Sequence, residues 1–168
     1  MSGSIRPITR AAARECVAKW HSHHRPHVGE TLSLGWVDGD DVLACVVMGR
    51  PSARLLDNGT TWEVTRLCIG PAAPRFAASR LLGAASRAAE ACGVRRMISY
   101  TRVDEAGTCY RAAGWWRTAV LVGQPWTHGA KETRWLPGLY EPSTEIVDRV
   151  RWERGQDAAP SIDARRAA

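Results

Sequence analysis

The run Trp62-Glu63-Val64-Thr65-Arg66-Leu67-Cys68-Ile69, followed by a loop and a small-residue helix, constrains the fold more than any other stretch. Read with period two, Trp62, Val64, Arg66 and Cys68 face one side of a strand, while Glu63, Thr65, Leu67 and Ile69 face the other. Arg66 then sits inside an otherwise apolar strand face, where a guanidinium needs either a carboxylate or a bound anion. Gly70-Pro71 and Pro74-Arg75 lead into a predicted helix over residues 76–92, with Gly93 as its C-cap. Its alanines and Gly83 let it lie close to a sheet, and its N-terminus is a natural anion site. Strand, turn and helix in this order predict a place for a phosphate-bearing ligand.

The remaining segments predict a single α/β domain. Residues 5–8 read as a short strand, and Thr9 caps a helix over 10–21 with Ala12, Cys16, Val17 and Trp20 on one face. Residues 31–37 alternate, Asp38-Gly39-Asp40 is a hairpin turn, and 42–48 form an apolar strand. After a polar excursion at 49–59 and the strand described above, further strands are expected at 95–101, 118–124 and 131–136. A short helix over 104–113 ends at Gly114. Residues 1–137 are taken as the domain, 138–154 as a C-terminal extension with a short helix near 145–152, and 155–168 as a disordered tail. This order describes a mixed twisted sheet with helices on both faces.

The chain has 168 residues and a formal net charge of +6. No apolar run reaches the length of a membrane span, no signal-peptide pattern is read at the N-terminus, and five widely spaced cysteines read as reduced core residues. These features predict a cytoplasmic protein with no membrane partner. Among the basic residues only Lys19 and Lys131 are lysines, which suggests a coding bias towards arginine. Yet residues 66–117 hold nine arginines against Glu90, Asp104 and Glu105, a concentration that favours an anionic partner such as DNA.

Several side chains are candidates for chemistry, each beside a plainer role. Glu63 is a general base if burial raises its pKa, or else a cross-strand partner. Ser79 in the first turn of the small-residue helix either caps that turn or bonds a ligand. The histidines His21, His23, His24 and His27 lack a clean i, i+4 face and a nearby cysteine. They read as an exposed basic loop touching phosphate, with no metal site assigned. Trp126, in a Pro/Gly loop with Gln124, Thr127 and His128, either stacks on an extruded base or packs back on the sheet.

With Arg6-Pro7-Ile8-Thr9 near the start, and with Ala106, Tyr110, Gly114 and Trp115 in the register of a late Ala-x-x-x-Tyr-x-x-x-Gly-Phe motif, the chain resembles the GNAT acyltransferase superfamily. Val103 stands where that motif has asparagine. The superfamily's cofactor loop carries two small residues where Ala78 and Arg80 stand here, so Arg80 is expected to crowd a pyrophosphate or to replace backbone contacts with a charge-assisted one. The segments Glu63-Val64-Thr65-Arg66-Leu67, Ala78-Ser79-Arg80-Leu81-Leu82-Gly83, Ile98-Ser99-Tyr100-Thr101, Gly107-Thr108-Cys109-Tyr110 and Arg134-Trp135 resemble more closely the Mom-like DNA-modification proteins of phages and a related phage acetyltransferase-like family.

That resemblance implies a phage or mobile-element protein that modifies a base amine in DNA, using acetyl-CoA or another acyl donor and no metal. Arg66, Phe76, Ala77, Ala78, Ser79 and Thr108 would hold the donor. Glu63 or a water would be the base, Tyr110 the acid, and Tyr100 a further residue of the catalytic cleft, with Arg66 also serving there. Glu105, Trp126, His21 and His23 would face the acceptor. Two other functions fit the same residues: an acetyl-CoA-dependent N-acetyltransferase for a small amine or a protein, and a non-enzymatic binder of nucleic acid or protein.

Overall fold

Gly39 turns the chain with a φ of 59°, and the strands on either side pair from Asp38 opposite Asp41 outward. They are β2 (Glu30–Asp38) and β3 (Asp41–Gly49), and around this hairpin the sheet is laid down. The computed structural model describes residues 3–20, 30–123 and 147–165. The strand expected at 131–136, the loop at 125–129 and the histidine-rich segment all lie outside the described residues.

β1 (Ser4–Pro7) pairs antiparallel with β2, and α1 (Arg10–Trp20) follows it. β4 (Thr61–Ile69) pairs antiparallel with β3, and α2 (Ala77–Ala91) crosses back to β5 (Arg96–Arg102), which runs parallel to β4. α3 (Thr108–Ala112) leads to the edge strand β6 (Trp116–Leu121). The next described strand, β7 (Arg149–Arg154), inserts between β5 and β6, antiparallel to both. The strand order is β1-β2-β3-β4-β5-β7-β6, and a last helical turn, α4 (Ile162–Arg165), follows.

Helices cover both faces, as the pattern predicts. On one face α1 buries Ala13, Cys16 and Val17 against Cys45, Val47 and Cys68. On the other, α2 lays Leu81, Leu82, Ala85 and Ala89 on Val46, Met48, Val64 and Met97, and the same core continues to Tyr110, Trp115 and Trp152. Cys16, Cys45 and Cys68 are core thiols, but Cys92 at the end of α2 is exposed, unlike the expectation for all five. Among the described residues no helix is long and apolar enough to cross a membrane.

Two expectations fail at the C-terminal end. Of the segment expected as a helix near 145–152 and assigned to an extension, residues 149–152 belong to β7 instead, inside the sheet. Arg149, Arg151 and Glu153 alternate with Val150 and Trp152, which is a strand period; Val150 and Trp152 enter the apolar core, while Glu153 is buried on the other face against Arg96, Arg151 and Thr118. The tail is also held where it was expected to be disordered. Arg95 pairs with Asp157 at 2.8 Å, the Ala159 amide donates to Glu153 at 2.8 Å, and the Trp116 indole donates to the Ala159 carbonyl at 2.7 Å.

Candidate active site

β4 and β5 are joined by ladder pairs only from Thr61 opposite Arg96 to Val64 opposite Ser99. Beyond that point β4 stays with β3, and β5 stays with β7 through Tyr100, Thr101 and Arg102. The two central strands therefore splay, opening a cleft towards their C-terminal ends. The Ser99 hydroxyl marks its apex by donating to the Val64 carbonyl at 3.2 Å.

A β-bulge sets which side chains flank the cleft. Arg66 lies opposite Val47 and Val64 opposite Met48, so Thr65 is an extra residue on β4. An inserted residue reverses the alternation beyond it. Val64 and Leu67 accordingly face the α2 side, and Glu63, Arg66 and Cys68 face the α1 side. The strict period-two expectation, which separated Glu63 from Arg66, is corrected: the bulge brings them onto one face.

Glu63 is 7% exposed, and its carboxylate accepts from the Ser52 amide at 2.7 Å and the Ser52 hydroxyl at 3.3 Å. Burial pushes its pKa up, and the Ser52 bonds and the charges of Arg66 and Arg149 only partly counter that push. Arg66 is half-buried and donates to the Thr65 carbonyl; burial draws its guanidinium down while Glu63 holds it up. Tyr100 lies beyond the last β4–β5 pair, opposite Arg151 of β7. Its pKa is raised by burial and by the Glu63 charge. One face of the splay thus carries a buried carboxylate whose proton affinity is raised, flanked by guanidinium and phenol groups.

Tyr110 stands on the opposite face. It is 5% exposed, stacked on Trp152 at a centroid distance of 5.4 Å and edge-on to Trp115 at 5.7 Å. Its hydroxyl and that of Ser99 are 2.7 Å apart. Because the Ser99 proton goes to Val64, Tyr110 is the donor in that bond. Burial raises the phenol pKa further, so the group keeps its proton. The hydroxyl chain Tyr110–Ser99–Val64 ends at the apex of the cleft.

The start of α2 follows the end of β4, at the open side of the splay. Phe76 is 64% exposed and takes the left-handed conformation with φ 67° as the N-cap. The Ala77 amide donates to Pro74 and the Arg80 amide to Phe76, while among the described residues no acceptor meets the amides of Ala78 and Ser79. Ser79 turns its hydroxyl back onto the Phe76 carbonyl at 3.1 Å, in the manner of a capping side chain. Arg80 points towards β2, its guanidinium 5.4 Å from the Trp36 ring, and so leaves the helix end open rather than crowding it.

Thr108 opens α3 and is exposed. The helix expected over 104–113 is shorter than the spacing suggests, because Asp104 and Glu105 belong to the turn after β5. Glu105 accepts from the Arg102 amide at 3.0 Å, and Asp104 pairs with the Arg102 side chain at 3.1 Å. His21, His23 and Trp126 lie outside the described residues. Among the described residues no group of histidine, cysteine or acidic side chains could hold a metal ion. Sequence reasoning missed Ser52, Ser99, Arg149 and Arg151; the alternation Arg149-Val150-Arg151-Trp152-Glu153 was the signal for the last two.

Solved structures share this architecture at low identity. An "IAA acetyltransferase" from Bacillus cereus matches with a TM-score of 0.64 and 14% identity, over 92% of this chain and 99% of that one. An N-acetyltransferase from Staphylococcus aureus gives 0.67 and 11%, over 94% and 100%. A Bacillus subtilis acetyltransferase in complex with CoA gives 0.56 and 12%, over 92% and 99%. The fold is that of the GNAT acyltransferases. No curated protein matches the sequence. The model of the Mom protein family matches residues 3–133.

Proposed function

Since the chain belongs to the Mom protein family, we propose that it is a GNAT-type acyltransferase whose acceptor is a base amine in DNA. The observation that carries the proposal is the β4–β5 splay, with a buried carboxylate on one face and a buried, protonated phenol reaching its apex from the other. Acyl transfer to an amine needs both: a base to remove the amine proton and an acid to protonate the leaving thiolate.

The residues fit an acyl-CoA donor despite the missing glycines. The open amides of Ala78 and Ser79 point out of the first turn of α2, as a pyrophosphate requires, and Arg80 is turned aside onto Trp36. When bound, such a donor supplies an acyl carbon activated by a thiol leaving group. In the proposal the helix start at Phe76, Ala77, Ala78 and Ser79 binds the donor's anionic portion, exposed Thr108 lines the mouth, and Arg66, which the bulge turns onto the Glu63 face, holds its charge beside the base. Glu63, raised by burial and oriented by Ser52, accepts the proton of the attacking amine. Tyr110 delivers its proton at the apex and is re-protonated from solvent after release. Tyr100, beside the Glu63 charge, borders the acceptor side.

The test is nucleoside mass spectrometry on DNA from cells expressing the wild type, Arg66→Ala or Glu63→Gln. The proposal expects a modified nucleoside with the wild type that is absent from both variants. Unmodified nucleosides in all three samples, together with acetylated protein or small amine that depends on Glu63, would instead make this chain an ordinary N-acetyltransferase.

A further inference from the structure

On the acceptor-side sheet face, the arginines of β5 and β7 other than Arg149 are each ion-paired with a carboxylate among the described residues. Arg96 and Arg151 both pair with Glu153, each at 2.8 Å, and Arg102 pairs with Asp104. Arg149 is half-buried and makes no ion pair of that kind among the described residues. Its ladder partner on β5 is Arg102, a like charge directly opposite, and on β6 it is Leu121. Like charges facing each other across an antiparallel pair destabilise the sheet, and the buried Glu63 carboxylate, which feels the Arg149 charge, is shared with Arg66, so one carboxylate faces two guanidiniums. Both are offset if an anion sits over the pair.

The position of this pair says which anion. Arg102 and Arg149 form the last β5–β7 rung, at the same end of the strands as the mouth of the splay. They share their face with Tyr100, which is two residues from Arg102, and with Glu63, whose acidity responds to the Arg149 charge. The donor-binding start of α2 packs on the opposite face. An anion at Arg149 therefore belongs to the acceptor, one or two side-chain lengths from the base. We propose that Arg149, with Arg102 beside it, binds a backbone phosphodiester of the nucleic-acid acceptor and so positions the target base over Glu63. This inference rests on the DNA-acceptor reading above.

The experiment is equilibrium binding of a short fluorescein-labelled DNA duplex to the full chain across a series of salt concentrations. It compares the wild type, Arg149→Gln, Arg149→Lys and, as a control on the α2 face, Arg87→Gln. Loss of one phosphate contact lowers the slope of log affinity against log salt by about 0.9 for duplex DNA. Arg149→Gln should show that loss, with affinity at low salt down about ten-fold, while Arg149→Lys keeps the slope because a phosphate needs only a point charge there. Arg87→Gln should match the wild type. A wild-type slope in Arg149→Gln would overturn the assignment of Arg149 and leave the DNA reading standing. A wild type with no salt-dependent DNA binding would overturn both.

Discussion

Among single residues, Glu63 and its two bonds from Ser52 decide the proposed chemistry. The carboxyl is buried, and its pKa lies above the ordinary value of 4.5 because desolvation outweighs the hydrogen bonds. A base must be ionised to work, so kcat/KM should rise with pH through that raised pKa and level off above it. Glu63→Gln should abolish this acid limb and lower kcat by about 10²–10⁴-fold. Ser52→Ala removes a bond to the charged form, so the limb should move to higher pH; a limb that stays put would mean another group titrates. Tyr110 carries a second residue-scale expectation. Tyr110→Phe keeps the stack on Trp152 and loses only the bond to Ser99, worth about 1 kcal/mol in urea unfolding, yet should cut kcat far more than that. Of these residues the sequence pattern marks Glu63, Arg66 and Tyr110. It does not show that Glu63 and Arg66 share a face, because the bulge at Thr65 is set by the register of β3 and leaves no mark in residues 62–69 themselves.

At the scale of elements, two helix starts carry unusual backbone. Phe76 is a non-glycine residue in the left-handed region, a conformation that costs an L-residue about 1–2 kcal/mol. Its ring is mostly exposed, so little burial is lost on truncation. Phe76→Gly should therefore stabilise the fold by about 0.5–1 kcal/mol in denaturant unfolding, after glycine's own entropy is deducted. Gly107, at φ 60°, starts α3, and a Cβ there would overlap the Trp152 indole. Gly107→Ala should cost about 3 kcal/mol from backbone strain and overpacking together, and should displace Tyr110, three residues on. α1 and α2 were legible from their helical period and their Thr9 and Gly93 boundaries, and the hairpin from Asp38-Gly39-Asp40. β7 was not, because four of its six residues, Arg149, Arg151, Glu153 and Arg154, are charged. That composition resembles a solvated helix until the strand-period alternation with Val150 and Trp152 is weighed.

At the scale of the whole molecule, Glu153 ties the C-terminal half together. Fully buried, it binds Arg96 of β5 at 2.8 and 2.9 Å, Thr118 of β6 at 2.9 Å and the Ala159 amide of the tail at 2.8 Å. Burial pushes its pKa up, but Arg96, the Ala159 amide and Thr118 outweigh that, and the carboxyl ends below its ordinary range. A depressed carboxyl contributes stability that is present above its unfolded pKa and is lost as pH falls through its folded one. Glu153→Gln should thus cost about 3–5 kcal/mol at neutral pH, with the gap to the wild type narrowing in acid. The opposite sign holds at Glu63, whose raised pKa costs stability as pH rises. The fold class was readable from the order of elements, whereas the closure of the sheet by β7 depends on contacts from residues 50 or more positions away, such as Arg96 to Glu153. In the proposed function this splayed sheet carries an acyl-derived group from a thioester to a base amine in DNA. The most direct measurement is mass spectrometry of nucleosides from DNA incubated with purified protein and isotopically labelled acetyl-CoA. A DNA acyltransferase leaves label in a modified nucleoside with the wild type and none with Glu63→Gln; unlabelled DNA alongside labelled protein or small amine would contradict that function.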